Sequence, residues 1–372
     1  MDNSKREEII DECLTEIAKY KRSTCAVSMG VGKTFIGLSH MDKIREKGGR
    51  RFLVVAPKVS IFDTWEEEID KHGFYKDFVA VDITYTTYRS INKQNPEDFD
   101  GVYLDECHNL LETHEPFLSA YKGPILGLTG TPPKWKNSVK GLLVAKYCPV
   151  KYEYFTDDAV DDGILNDYSI IVHRLKLDTR KNHRVTTKKF NFLTSEKSSY
   201  AYACKRLDEA NTPKQTQFAR IGRMTIMKSY RSKETYAKNL LTLIDEKCII
   251  FCNTTAQADR MCKFSYHSKN HKDVNEMNIT SFKGGNTDRL SCVEQLSEGA
   301  NIPNLKNSII IHAYGNEKKL RQRLGRTLRL KPDEKATIHV LMYEDTIDEK
   351  WVRDALSDFD EDKITYVNPL EL

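Results

Sequence analysis

Short apolar runs, separated by longer stretches of mixed polarity, recur along the whole chain. In the first part they are TCAVS (24–28), RFLVVA (51–56), FVAVDI (78–83), GVYLDE (101–106) and ILGLTGT (125–131). In the second part they are SIIVHRLKL (169–177), KCIIFC (247–252), NSIIIHAY (307–314) and ATIHVLMY (336–343). Runs this short, with little alternation, predict strands buried on both faces, as in parallel sheets. The stretches between them read as helices, for example TWEEEIDKHG (64–73). Strands alternating with helices predict right-handed βαβ crossovers and an open parallel sheet in each half. The boundary is expected near 145–170, where YCPVKYEY gives way to the acidic TDDAVDDG, a composition suited to a connector. Residues 194–246 hold no strand-like run and predict two or three helices.

Composition narrows the class. The chain has 372 residues, 39% of them hydrophobic, enough for a core in each of two domains. No apolar run approaches the roughly 20 residues of a membrane span, and MDNSKREEII has no apolar leader segment. Nine scattered cysteines, an odd number, fit a reducing compartment better than a disulfide framework, so a cytoplasmic protein is expected. Cys248, Cys252 and Cys262 lack a standard zinc spacing. Net charge is +4, but residues 166–240 carry 17 basic against 6 acidic side chains. Such an excess is either the footprint of a polyanion or a solvated lysine-rich face.

Three segments carry chemistry. VSMGVGKT (27–34) directly follows a predicted strand and opens a helix. Glycines let consecutive backbone N–H groups face anionic oxygens, a lysine reaches the outer phosphates, and a hydroxyl can hold Mg²⁺. Gly30, Val31, Gly32, Lys33 and Thr34 are the candidate binding residues, although Val27 stands where the strict phosphate-loop pattern has glycine. VYLDECHN (102–109) ends a strand in two carboxylates: Asp105 is the candidate metal-associated acid and Glu106 the group that polarises a water. LRQRLGRTLRL (320–330) concentrates arginines whose planar guanidiniums suit the charge of a transferring phosphoryl group.

GVGKT, DECH, LTGTP and QRLGRTLR follow one another in that order, and together they resemble motifs I, II, III and VI of the superfamily 2 helicases and translocases. VVAPKVSIFDTWEEEI (54–69) resembles motif Ia and ITYTTYRS (83–90) the threonine-containing motif after it. IIFCNTTAQADRM (249–261) and LSEGANIP (296–303) resemble motifs IV and V. DECH and LTGTP lean towards the type III restriction, xeroderma pigmentosum B and phage helicase group; MGVGKT and the Trp65 segment are also similar to the Swi2/Snf2 translocases.

The resemblance implies two tandem RecA-like domains, 1–160 with motifs I–III and 161–372 with motifs IV–VI, each an open mostly parallel sheet flanked by helices. It implies ATP and Mg²⁺ as cofactors, with Thr34 and Asp105 on the metal. Lys33, Asp105, Glu106, Gln322, Arg326 and Arg329 would be catalytic. His108, Thr129 and Thr131 would couple nucleotide state to grip. Pro57, Lys58, Thr86, Thr87, Thr254, Thr255 and Gly299 would line a phosphodiester track that reads phosphates and not bases. The family's adenine-reading Gln has no counterpart in NSKREEIIDECL, and Asn301 replaces the usual Asp of motif V.

The implied activity is ATP-dependent DNA unwinding or branch migration, in replication or recombination and in a phage-like setting, by a monomer without membrane contact on single-stranded or forked DNA. An RNA helicase and an ATP-gated clamp that does not unwind are the alternatives. The basic segment 178–246, read as a helical insertion in the second domain, carries Tyr200, Tyr202, Phe218 and Tyr230. Within it Arg220, Arg223, Lys228 and Arg231 are expected to form a duplex- or fork-contacting surface; the other reading is a helical cover for the second sheet.

Overall fold

The computed structural model describes residues 4–28, 30–74, 82–133, 137–186, 190–293, 302–313, 334–357 and 359–369. Its first sheet contains β1 (Arg22–Val27), β2 (Arg51–Ala56), β3 (Asp82–Thr87), β4 (Gly101–Asp105), β5 (Ile125–Thr129) and β6 (Val150–Tyr154). They lie in the order β3-β2-β4-β5-β1-β6, every neighbour parallel. The apolar runs are continuous because both faces are covered. Phe52, Val54 and Ala56 of β2 enter one core, and Leu53 and Val55 enter the other. Helix α1 (Ser4–Ile17) adds Ile9, Ile10, Cys13, Leu14 and Ile17 to the first core, a single helical stripe. Helices α2 (Lys33–Glu46), α3 (Phe62–His72), α4 (Glu115–Ala120), α5 (Val139–Tyr147) and α6 (Thr156–Asp161) complete this unit.

Two strands of this sheet depart from the sequence reading. β3 begins at Asp82, so it uses DITYTT; of the apolar run 78–83, residues 78–81 lie outside the described residues. It is an edge strand, half-buried, and needs no apolar run. β6 occupies the stretch read as a connector. As the opposite edge it buries Tyr154 but leaves its other residues partly or fully exposed, so charged residues fit it.

The first unit's main run ends at Asp167 and the second unit begins at Tyr168. The division falls after position 160 because Ile164 and Leu165 are buried in the first core. The second unit contains β7 (Tyr168–Leu175), β8 (His183–Thr186), β9 (Asn191–Thr194), α7 (Glu196–Asp208), α8 (Pro213–Lys228), α9 (Ser232–Leu241), β10 (Cys248–Cys252), α10 (Thr255–Met261), β11 (Ser265–Tyr266), α11 (Lys272–Lys283), β12 (Arg289–Val293), β13 (Asn307–Ile310), β14 (Ala336–Tyr343) and β15 (Ile364–Val367), with a helix Ile347–Leu356 between the last two. Its parallel sheet runs β11-β12-β10-β13-β14-β7-β15.

The basic segment is helical from Glu196 onward but opens with an antiparallel hairpin, β8–β9, that pairs Val185 with Phe192. The strands have four residues each and bury little apart from His183, so they leave no periodic apolar signal. All nine cysteines are free thiols. Among the described residues no helix is long and apolar enough to cross a membrane.

Candidate nucleotide site and nucleic-acid face

Parallel register brings three strand ends to one edge. Ala26 of β1 lies beside Thr129 of β5, and Asp105 of β4 beside Leu128. Ligands of open α/β sheets sit at such carboxyl ends. From β1 the chain turns through Gly30 (φ 94°) and Gly32 (φ 121°), backbone conformations that favour glycine. A Cβ on Gly30 would also lie 2.9 Å from Leu165 Cδ2, so glycine is required twice over there. Gly32 caps α2 without a side-chain hydrogen bond, which leaves the first N–H groups of the helix available to an anion. Val31, in contrast, is fully buried. Arg6 on α1 donates from Nη2 to the Gly30 carbonyl at 2.7 Å and ties the first helix to this turn.

Glu106 stands at the centre of the edge, in the left-handed conformation (φ 52°, ψ 53°) that swings its carboxylate off the strand direction. Lys33 Nζ donates to its Oε1 at 2.9 Å, with both side chains about nine-tenths buried. Thr129 Oγ1 donates to Oε2 at 3.4 Å and accepts from Thr131 N–H at 3.1 Å. With those roles taken, the network assigns the 2.8 Å contact to His108 Nδ1–H donating to Thr129 Oγ1. Thr131 Oγ1 lies 3.4 Å from the same nitrogen. The three residues expected to couple nucleotide state to grip therefore share one hydrogen-bonded cluster with Lys33 and Glu106.

Asp105 is held differently. Trp65 Nε1 donates to Oδ2 at 2.9 Å, and Tyr88 OH donates to the Asp105 carbonyl at 3.0 Å. Burial pushes the Asp105 carboxyl up to about 6 and the adjacent Glu106 charge pushes the same way. Burial also opposes ionisation of Glu106, but Lys33 and His108 outweigh it and hold that carboxyl below its ordinary value. Lys33 is raised: burial alone would lower it, and the Glu106 and Asp105 charges prevail. The result is an ammonium, one carboxylate held below its ordinary value and one pushed up to about 6. The left-handed glycines, the uncapped helix start and this donor set fit a nucleotide triphosphate with a divalent cation on Thr34 and Asp105.

Residues 2–134 match the family model described as type III restriction enzyme, res subunit, and residues 232–331 match the helicase conserved C-terminal domain. The chain is 26% identical over 358 residues to the DNA 3'-5' translocase XPB2 of Sulfurisphaera tokodaii, covering 87% of this chain and 78% of that protein. The chain belongs to the superfamily 2 helicases and translocases. Solved structures share the fold of this superfamily 2 protein. The type ISP restriction-modification enzyme LlaBIII bound to DNA matches at TM-score 0.62 and 14% identity; the match covers 99% of this chain but 31% of that enzyme. S. cerevisiae Dbp5 bound to RNA and ADP BeF3 matches at TM-score 0.59 and 12% identity, covering 98% and 90%. The two parallel-sheet units are thus tandem RecA-like domains.

The other expected residues of this superfamily 2 chain are distributed as follows. Pro57 and Lys58 leave β2 at the same carboxyl edge where Thr87 ends β3, opposite Ala56. Thr86 is buried, because side chains alternate along the strand, so Thr87 offers the more accessible hydroxyl. In the second unit the Thr254 hydroxyl caps α10, accepting from Gln257 N–H at 3.1 Å, with Thr255 next in the helix. Gly299, Gln322, Arg326 and Arg329 lie outside the described residues.

The four basic residues of the 178–246 segment do not form one open cluster. Arg220 is exposed on α8, while Arg223 is half-buried with Nη1 3.9 Å from Cys204 Sγ. Lys228 is half-buried, and Arg231 pairs with Glu234 at 3.0 Å. Tyr230 is buried and Tyr200 accepts the Ile347 N–H, so both serve the core. Tyr202 and Phe218 are exposed, and so are Phe190, Phe192 and Leu193 of the hairpin. Sequence reasoning missed Arg6, Tyr88 and the Trp65–Asp105 bond. A tryptophan in an otherwise charged helix was the one available signal for the last.

Proposed function

We propose that this chain is an ATP-driven DNA translocase that separates or migrates duplex strands. The observation that carries the reading is the Lys33–Glu106–Thr129–His108 cluster at the carboxyl edge of the first sheet. When bound, ATP with Mg²⁺ would supply a phosphoanhydride whose hydrolysis drives movement. Lys33 exchanges its carboxylate partner for phosphate oxygens. Thr34 and Asp105 hold the cation, and Glu106, ionised at neutral pH, orients the attacking water and takes its proton. Gln322 helps place that water, and Arg326 and Arg329 answer the developing charge.

Thr129 links Glu106 to His108 and Thr131, so a change at the carboxylate reaches the segment after β5. Pro57, Lys58 and Thr87 on the first domain, and Thr254, Thr255 and Gly299 on the second, grip successive phosphates without reading bases. Alternating grips move the chain along one strand. Breaking a DNA step costs a mean of about 1.4 kcal/mol in stacking, a modest load for such a motor. The preference for DNA over RNA rests on the translocase named among its relatives.

The exposed rings Phe190, Phe192 and Phe218, in a segment of strong positive charge, support a single-strand or fork contact from the second domain. Parallel ATPase measurements with single-stranded DNA, duplex DNA and RNA test the substrate, and displacement from a forked duplex tests unwinding. Stimulation by RNA alone would refute the DNA assignment; stimulation without displacement or movement would leave a clamp.

A further inference from the structure

Helix α3 buries Trp65 alone, which makes that indole the helix's anchor. The ring is fully buried and lies between two parts of the nucleotide site. Its Nε1–H donates to Asp105 Oδ2 at 2.9 Å, and its benzo end lies over Gly37 of α2, the helix that starts at Lys33. A Cβ on Gly37 would fall 2.6 Å from Trp65 Cη2, so the close approach depends on glycine. Tyr103 of β4 meets the indole edge-on at 6.1 Å. A core position could be filled by leucine or phenylalanine with no polar partner to find. Tryptophan brings an N–H that needs an acceptor, and a carboxylate gives a charge-assisted bond.

Trp65 is in the first turn of α3, directly after the short turn Val59–Ile61 that follows Pro57 and Lys58. A displacement of that turn moves the helix start, and through the one buried side chain it moves the acid. We infer that Trp65 is a positioning residue that fixes the Asp105 carboxylate and couples it to contact at Pro57–Lys58. The inference rests on the proposed metal-associated role of Asp105 and deepens it.

The test uses the full chain. Trp65→Phe removes the N–H and the benzo end of the ring. Adding Gly37→Ala refills the space over α2 and separates the lost hydrogen bond from lost packing. A third form, Trp135→Phe/Trp351→Phe, leaves Trp65 as the sole indole of the three in the chain and serves as a fluorescence reporter. In the double variant the Mg²⁺ concentration for half-maximal ATP hydrolysis should rise about tenfold, with KM for ATP changed less than about twofold. Stimulation by single-stranded DNA should fall by a similar factor. In the reporter, Mg²⁺ with ADP should shift Trp65 emission, and single-stranded DNA alone should shift it too.

Parental Mg²⁺ dependence and stimulation in the double variant, or an emission spectrum indifferent to both additions, would overturn the inference. If the double variant melts early, the reporter decides alone. Asp105→Asn separates the two failures. If that variant keeps its Mg²⁺ dependence, the role of Asp105 falls and the inference with it. If it loses hydrolysis while the double variant matches the parent, Trp65 is packing and no more.

Discussion

Lys233 and Asp348 form an ion pair with neither side chain exposed, Nζ to Oδ2 at 2.5 Å, in the second domain. Lys233 also donates to the Leu341 carbonyl at 2.7 Å and lies 4.6 Å from the centre of the Tyr343 ring. Asp348 Oδ2 accepts the Tyr343 N–H at 2.8 Å, while Oδ1 is buried without a partner. The pair joins α9, β14 and the helix Ile347–Leu356. Burial lowers the Lys233 ammonium below its ordinary value, the opposing pull of Asp348 notwithstanding. Lys233→Met keeps the stem volume and leaves a buried carboxylate opposite an apolar tip. Orphaning one member of such a pair costs about 3–5 kcal/mol. At about 2–4 °C per kcal/mol for a domain of this size, its melting midpoint should fall by about 6–20 °C.

Thermal unfolding of the full chain, followed by circular dichroism with the two transitions resolved, measures the loss. Adding Asp348→Asn removes the orphaned charge but keeps an acceptor for Tyr343 N–H, and should recover about half of it. A deficit below about 1 kcal/mol, or a double variant no better than the single, would refute the account of the pair as a charge that must be answered.

Lys33→Ala should lower ATP hydrolysis at least a hundredfold in a coupled assay; retained turnover would remove the nucleotide-site assignment. Thr129→Val should keep hydrolysis within about tenfold of the parent but impair strand displacement, because it removes the hydroxyl shared by Glu106, His108 and the Thr131 N–H and leaves His108 Nδ1 only its longer contacts, 3.3 Å to Glu106 Oε2 and 3.4 Å to Thr131 Oγ1. His173 and His339, whose rings bond at 3.0 Å, are each lowered to about 4 by burial, with His173 adding to the effect on His339. The unfolded chain therefore takes up protons that the fold refuses, so stability is full above about pH 6.5 and falls as pH drops towards 4, by about 2–5 kcal/mol for the pair. Urea midpoints at pH 7, 5.5 and 4.5 should show the slope, and His339→Gln should flatten it. Arg220→Ala with Phe192→Ala should weaken single-strand binding and reduce its salt dependence by about one phosphate contact, with basal ATPase unchanged.

Much of this was legible in the sequence where a strand is covered on both faces. TCAVS, RFLVVA, GVYLDE and ILGLTGT became β1, β2, β4 and β5 because alternate residues of each feed different cores. The edge strands were not legible, since an edge buries part of one face and tolerates Lys151 and Glu153 in β6. The hairpin β8–β9 left no apolar period for the same reason. The candidate phosphate loop could be singled out because its chemistry is local in sequence. The bond from Trp65 to Asp105 spans forty positions and depends on how α3 lies against the sheet. Arg6 was equally remote from the turn that it holds.

A parallel sheet sends every strand end to the same edge, and this is how one domain holds two unlike surfaces close together. β1, β4 and β5 end in the charged cluster; β2 and β3, one and two strands beyond β4, end in Pro57–Lys58 and Thr87. The cluster needs burial, because Lys33 and Glu106 gain from low dielectric only where water is excluded. The proposed track needs exposure, because a phosphodiester would have to reach it. A sheet edge satisfies both if something opaque to water but rigid separates them. Trp65 meets that requirement: it is sealed between α2 and β4, and its one polar atom faces the acid. A leucine there would seal equally well and report nothing.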